Sequence, residues 1–198
     1  MTKLFTVGAS FTDSLGTANA YQPFVAGLGD AWVQRIDANT GILEKSTYLG
    51  TTGPDLAFLI AQNSEGAFKA MGDSSALAIV GNTKGIMPVT PGLWGQSMSS
   101  QYIAWLGYDL DTLYRLQTFG SGTINSINTS PTAFMLDDCG SLYFAGWGGL
   151  ANNGGNTQNL FTTPNAFQST TDGSDFYFLV LSRHGSPLYA SYFGGSPS

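Results

Sequence analysis

The sequence predicts an all-β chain, and three observations carry that expectation. Glycine occurs 26 times in 198 residues; aromatic residues reach 13% while charged residues stop at 10%; and one pattern of short apolar runs recurs about every 70 residues. So little charge argues against long surface helices, which normally carry many Lys, Glu and Arg. The hydrophobic content argues against disorder. Short β-branched and aromatic runs between Gly, Asn, Ser and Thr turns suit strands and hairpins. The length suits one domain with a substantial core.

The strands follow in order from the repeat. One hairpin runs through Asp30–Asp37, a turn at Asn39-Thr40-Gly41, and Ser46–Gly50. A second runs through Gln101–Leu106, a turn near Asp109, and Leu116–Gly120. A third runs through Asp175–Leu181, a turn at His184-Gly185, and Ala190–Gly194. Gly50 and Gly120 are 70 residues apart, Gly120 and Gly194 are 74 apart. Ahead of each hairpin comes Leu4–Gly8, Leu77–Gly81 or Leu142–Gly146. Ahead of the last two come Ala57-Phe58-Leu59-Ile60 and its match Ala133-Phe134-Met135-Leu136. Ala67–Gly72 competes with Leu77–Gly81 for one strand. The later segment is favoured, because Pro88–Gly92 follows it as Phe161–Asn165 follows Gly146.

Each period thus holds four strands of about five or six residues, the usual length. Four antiparallel strands per repeat is the blade of a β-propeller. The expected division is an incomplete blade over about 1–50, a second over about 51–120 and a third over about 121–195. Closed propellers typically need at least four blades, so about three blades predict an excerpt of a larger propeller. Both end sheets are then expected to expose an apolar face, to be covered by flanking blades or by other copies of the chain.

Composition also bounds function. The net charge is −6, from 13 acidic and 7 basic residues with no basic cluster. That removes the electrostatic footprint of nucleic-acid binding and of anionic membranes. No apolar run approaches a membrane span of about 18 residues, so no membrane insertion is expected. Cys139 is the single cysteine, so neither an internal disulfide nor a paired-cysteine metal site is expected. The first residues lack the apolar core of a signal peptide. An export signal is expected outside this chain.

At its third repeat the sequence resembles a known family. Thr163-Pro164-Asn165-Ala166-Phe167-Gln168, then Gly173–Leu179, then Tyr189–Gly195, are similar to the SBBP-type bacterial β-propeller repeat. Asp138-Cys139-Gly140-Ser141-Leu142-Tyr143-Phe144-Ala145-Gly146-Trp147-Gly148-Gly149 resembles the propeller portions of large secreted and cell-surface proteins of Bacteroidota, including gliding-motility-associated ones. The likeness spans roughly Thr129–Gly195 and is weaker before it, where Gly50-Thr51 and Gly120-Ser121 lack the usual second glycine. It implies export and surface display, and supplies no catalytic residue.

The chemistry-bearing residues point the same way. His184 is the only histidine and falls in a turn, with no nucleophile elbow or zinc motif near it. Cys139 follows two carboxylates, which do not favour a reactive thiolate. Asp109, Asp111, Asp137 and Asp138 have the oxygens for Ca²⁺ but not the spacing of a calcium loop, and Asp is a natural turn residue. Glu44 and Glu65 are expected in turns, which does not suit a pair of opposed glycosidase carboxylates. The expectation is therefore no catalytic residues, no metal and no cofactor, in a structural or adhesive extracellular module. The alternative is a carbohydrate-binding module in which Trp147, Asn152, Asn153 and Asn156 hold a surface glycan, with Trp94 as a further aromatic. A protein ligand is the other partner class, and a polysaccharide-acting enzyme the remote reading.

Overall fold

The structure is a computed structural model that describes residues 2–62, 76–149 and 155–195. Among these residues every regular element is a strand. In chain order they are β1 (Lys3–Ser10), β2 (Asp30–Asp37), β3 (Leu43–Leu49), β4 (Asp55–Gln62), β5 (Ala76–Thr83), β6 (Gln101–Gly107), β7 (Leu113–Phe119), β8 (Ser130–Leu136), β9 (Leu142–Trp147), β10 (Phe176–Leu181) and β11 (Pro187–Phe193). They form three antiparallel meanders: β1-β2-β3, β4-β5-β6-β7 and β8-β9-β10-β11. The sheets do not close into a ring. Ala67–Gly72 lies outside the described residues, and Leu77–Gly81 is strand as expected.

The sheets stack in sequence order, because each alternates its apolar residues between two faces. Call the face toward the preceding sheet the rear and the face toward the following sheet the front. The first core forms from Val33 and Leu49 of the first sheet against Leu77, Ile79, Tyr102, Leu106 and Leu116 of the second. The second forms from Val80, Ile103, Trp105 and Phe119 against Leu142, Phe144, Tyr177, Leu179 and Leu181 of the third. The middle sheet is therefore covered on both faces, and all eight residues of β5 are buried. Such a strand reads as a continuous apolar run, without alternation. The Arg115 guanidinium lies 4.5 Å from the Trp105 ring centroid in the second core, a cation–π contact that lets a charge enter it.

Register makes the repeats superimposable. Gly8 pairs with Trp32, Gly81 with Tyr102 and Gly146 with Tyr177. Bulges recur at matching points, between Arg35 and Ile36, Trp105 and Leu106, and Val180 and Leu181. A bulge fixes local twist and re-aims the chain, so its recurrence means that the three hairpins share one geometry.

Register also corrects one sequence match. Ala57 pairs with Gly81 while Pro131 pairs with Gly146, and Ile60 pairs with Ile79 while Phe134 pairs with Phe144. Ala57–Ile60 thus corresponds to Pro131–Phe134, not to Ala133–Leu136. The error is two residues, one full side-chain period, so inward and outward residues still coincide and the apolar pattern cannot detect it. A second correction concerns the ends: the outer face of the first sheet is not uniformly apolar, since its central positions are Thr6, Gln34 and Ser46.

Candidate functional site

The best-organised polar structure lies where a sheet's last strand meets the long connection leading into its next-to-last strand. Thr17 and Thr163 occupy equivalent places in that connection. Each donates its amide to a last-strand carbonyl, Ser46 or Ala190, at 3.0 Å. Each accepts that residue's amide on its own hydroxyl, at 3.1 and 3.2 Å. Five residues later comes a glutamine. Gln22 donates through Nε2 to Asp30 and accepts the Gly50 amide at 3.1 Å. Gln168 donates to Asp175 at 2.9 Å and accepts the Gly194 amide at 3.1 Å. A Cβ on Gly50 or Gly194 would collide with the Asp30 or Asp175 carboxyl group. Those glycines are fixed by close approach, not by a special φ. The middle repeat has Ser100 where the others have the aspartate, since Thr83 faces Ser100 as Gly148 faces Asp175. These latches were not anticipated. The signal was present, because Thr17-Ala18-Asn19-Ala20-Tyr21-Gln22 reads like Thr163-Pro164-Asn165-Ala166-Phe167-Gln168.

Beside the third latch opens a cleft of about 450 Å³, lined by Gln168, Thr170, Thr171, Asp172, Asp175 and Gly194–Gly195. A neighbouring hollow of about 340 Å³ shares Thr170 and Thr171. Their hydroxyl, amide and carboxylate oxygens can hydrogen-bond a polar ligand. Thr171 Oγ1 lies 3.2 Å from Thr157 Oγ1, and Asp175 is held by Gln168. At the junction of the first two sheets the corresponding rim is closed. There Asp30 and Asp55 are both buried, and each has an Oδ1 without a hydrogen bond. Burial pushes the Asp30 carboxyl above its ordinary value. It does the same to Asp55, where hydrogen bonds from Thr83 and Thr51 oppose the shift and the Asp30 charge adds to it.

Of the residues singled out by sequence, Trp147 and Asn156 lie on either side of the Gly149–Gly155 bridge, while Trp94, His184 and Cys139 belong to other connections. Trp147 ends β9 on the front face of the third sheet, opposite Phe176 and Ser130, and is half-buried. Asn156 is exposed, but its Oδ1 accepts the Gln158 amide at 2.9 Å and its carbonyl accepts Asn128 Nδ2 at 2.7 Å. Its amide thus serves its own loop. Asn152 and Asn153 lie outside the described residues. Trp94 meets Phe161 edge-on at 5.2 Å and packs against the second core.

His184 is exposed in the β10–β11 turn, where it accepts from Arg183 Nε at 3.0 Å. Cys139 is exposed in the β8–β9 turn. Asp137 organises that turn by accepting Ser141 N at 2.7 Å and the Tyr143 hydroxyl at 3.1 Å. Desolvation pushes its pKa up, but the bonds from Ser141, Tyr143 and Cys139 outweigh it and leave the carboxyl below its ordinary value. Asp109 takes Arg35 Nη1 at 2.6 Å, and Asp111 takes the Thr112 hydroxyl at 3.0 Å. Glu44, expected in a turn, lies in β3 and pairs with Lys3 and with Arg35 Nε, the latter at 3.1 Å. Two cations hold it in the strand, where it covers the polar edge of the first sheet. Glu65 lies outside the described residues. No group of three or more His, Cys, Asp or Glu converges as a metal centre among the described residues. No family model matches the chain, and no curated protein matches it.

Proposed function

We propose that the chain is a run of β-propeller blades from an extracellular structural or adhesive protein, and that it binds rather than catalyses. One observation carries this reading. Three antiparallel meanders repeat the same register and bulges, the first and third share the same rim hydrogen bonds, and all stack face to face through apolar cores. Radial stacking of such sheets is what a propeller consists of. A repeat fold of this kind displays its connecting loops, and loops on a rigid scaffold are where binding residues concentrate. The polar cleft at the third latch is the place where such a ligand would sit.

The open reading frame that contains the chain supplies the first test: further copies of the roughly 70-residue repeat and an export signal are expected in it. Binding is tested by glycan arrays and by immobilised surface proteins, with hydrolase and lyase assays on polysaccharides in parallel. Turnover of a polysaccharide would overturn the non-catalytic reading. Glycan capture abolished by Trp147→Ala would replace adhesion through the cleft by sugar recognition at the β9 end.

A further inference from the structure

The rim of the first inter-sheet junction buries two carboxyl groups, one from each sheet. Asp30 opens β2 and Asp55 opens β4, and they are 0% and 1% exposed. The backbone holds them together, since the Asp55 amide donates to the Gly29 carbonyl at 2.9 Å. Their carboxyl groups rest on consecutive residues of the β3–β4 connection. A Cβ on Gly50 would lie 2.3 Å from Asp30 Cγ. Thr51 donates to Asp55 Oδ2 through its amide at 2.6 Å and its hydroxyl at 3.0 Å. Asp30 Oδ2 accepts Gln22 Nε2 and the Ala26 amide, at 2.5 and 2.8 Å. In both residues Oδ2 takes the donors, and Oδ1 has none.

No neighbour supplies the missing donor. From β6, the Tyr102 hydroxyl donates to the Leu56 carbonyl at 3.0 Å. Burial pushes that phenol far above its ordinary value and the charges of Asp55 and Asp30 add to the shift, so it keeps its proton. From β5, the Thr83 hydroxyl donates to the Gly85 carbonyl at 3.2 Å. Among the described residues no Lys or Arg acts on either carboxyl. Burial raises both, and the Asp30 charge raises Asp55 further. Two like charges buried side by side cannot both ionise without a large cost. A hard divalent cation takes about six to eight oxygens. Here two are open, and no third His, Cys, Asp or Glu joins them among the described residues. One proton satisfies both: held on one Oδ1, it is donated to the other.

We propose that Asp30 and Asp55 share one proton, and that this proton fastens the first sheet to the second at their rim. Its release to solvent leaves two buried carboxylates facing each other and loosens the first junction. Both folded values are raised, so the fastening is complete below the unfolded aspartate value and is lost as pH rises through the folded ones. The second junction is the internal control. Register puts Ser100 at the position of Asp30 and Thr129 at that of Asp55. Both are buried, at 1% and 0% exposure, and a hydroxyl does not titrate where a carboxyl does. Rising pH therefore opens the stack at one place and not along its whole length. Nothing in this depends on what the chain binds.

Infrared difference spectra of the intact chain test the proton directly. At about pH 5, one unit above the ordinary aspartate value, parent minus Asp55→Asn should show the carbonyl stretch of a neutral carboxylic acid. That band should fade as the pH rises. Hydrogen exchange read by mass spectrometry tests the fastening. Corrected for intrinsic exchange, Leu49–Asp55 should lose at least about tenfold protection between about pH 5 and about pH 8, the effect of one unit of pKa difference, while Phe119–Thr129 changes less than about twofold. In Asp55→Asn the new amide replaces the shared proton as donor, and the first segment should become as insensitive as the second. Asp30→Asn does the same from the other side and serves if the first variant does not fold. A missing acid band at about pH 5 would overturn the proposal. So would equal loss of protection in both segments, or a pH dependence that survives the asparagine variants. Protection of Leu49–Asp55 by millimolar calcium chloride in the parent would assign the open oxygens to a cation, and would overturn it too.

Discussion

At the residue scale the rim latches carry the strongest constraints. Gly50 and Gly194 sit so close to Asp30 and Asp175 that alanine at either site must displace a buried, hydrogen-bonded carboxylate. Overpacking of this sort costs about 1–3 kcal/mol, and thermal melts of Gly50→Ala and Gly194→Ala should show losses of that size. By contrast His184→Ala and Cys139→Ala remove exposed turn side chains. Each should stay within about 0.5 kcal/mol of the parent in the same melts. The carboxylates also make stability depend on pH in two opposed ways. Asp37, held down by the Thr40 and Asn39 amides and by Lys3, and Asp137 both titrate below their ordinary value. Their contribution is present above the unfolded value and is lost as pH falls through the folded one. Asp30 and Asp55 titrate above theirs, so what they contribute is complete below the unfolded value and lost as pH rises through the folded one. Asp55→Asn keeps an acceptor for Thr51 and removes the buried charge. It should therefore melt higher than the parent at pH 7, and the gap should close as the pH approaches about 4, near the unfolded carboxyl value.

Neighbouring residues of one strand have opposite fates, and β10 shows this at the scale of an element. Leu179 is fully buried between the second and third sheets, while Phe178 points to the other face and is 37% exposed. In chemical denaturation of dilute monomer, Leu179→Ala should cost about 2–5 kcal/mol, the range for a core leucine. Phe178→Ala should cost well under half of that, although it removes the larger side chain. The hairpins β2–β3, β6–β7 and β10–β11 were legible in the sequence because each combines a period-2 pattern, a turn and a closing glycine, three independent signals. The edge strands β4 and β8 offered only the pattern, and the match slipped by two residues. The bulges that skip Phe58 and Thr132 leave no trace in composition. The latches were missed for another reason. Thr17 and Gln22 are polar residues of an irregular connection and Asp30 opens β2, and only their convergence on Ser46 and Gly50 in space gives them a role. Of the candidate sugar loop, Trp147 belongs to the strand and Asn156 is engaged locally, while Asn152 and Asn153 lie outside the described residues.

For the whole molecule the controlling quantity is the difference between its two ends. The sheets share one backbone plan, so the polarity of the first is set by a few side chains on an otherwise repeated surface. Thr6 stands where the middle sheet has Ile79, and Gln34 where it has Ala104. Converting both, Thr6→Ile with Gln34→Ala, should leave the strands intact, because isoleucine favours strands more than threonine does and the substituted positions form no backbone turn. It would, however, give the rear face of the first sheet the central residues that receive Val33 and Leu49 in the first core. The chain would then carry two complementary apolar ends, and a head-to-tail contact between different patches on one molecule generates rings or open filaments. The parent, with the polar Thr6–Gln34 pair at that end, is not expected to chain head to tail. The double variant should form larger species than the parent, with a mean mass that rises with concentration in light scattering. An unchanged mass distribution would mean that Gln34 does not limit stacking and that the capped end owes its solubility to something else. The comparison isolates the polar row, because Phe178, Phe193 and the rest of the opposite end are the same in both proteins.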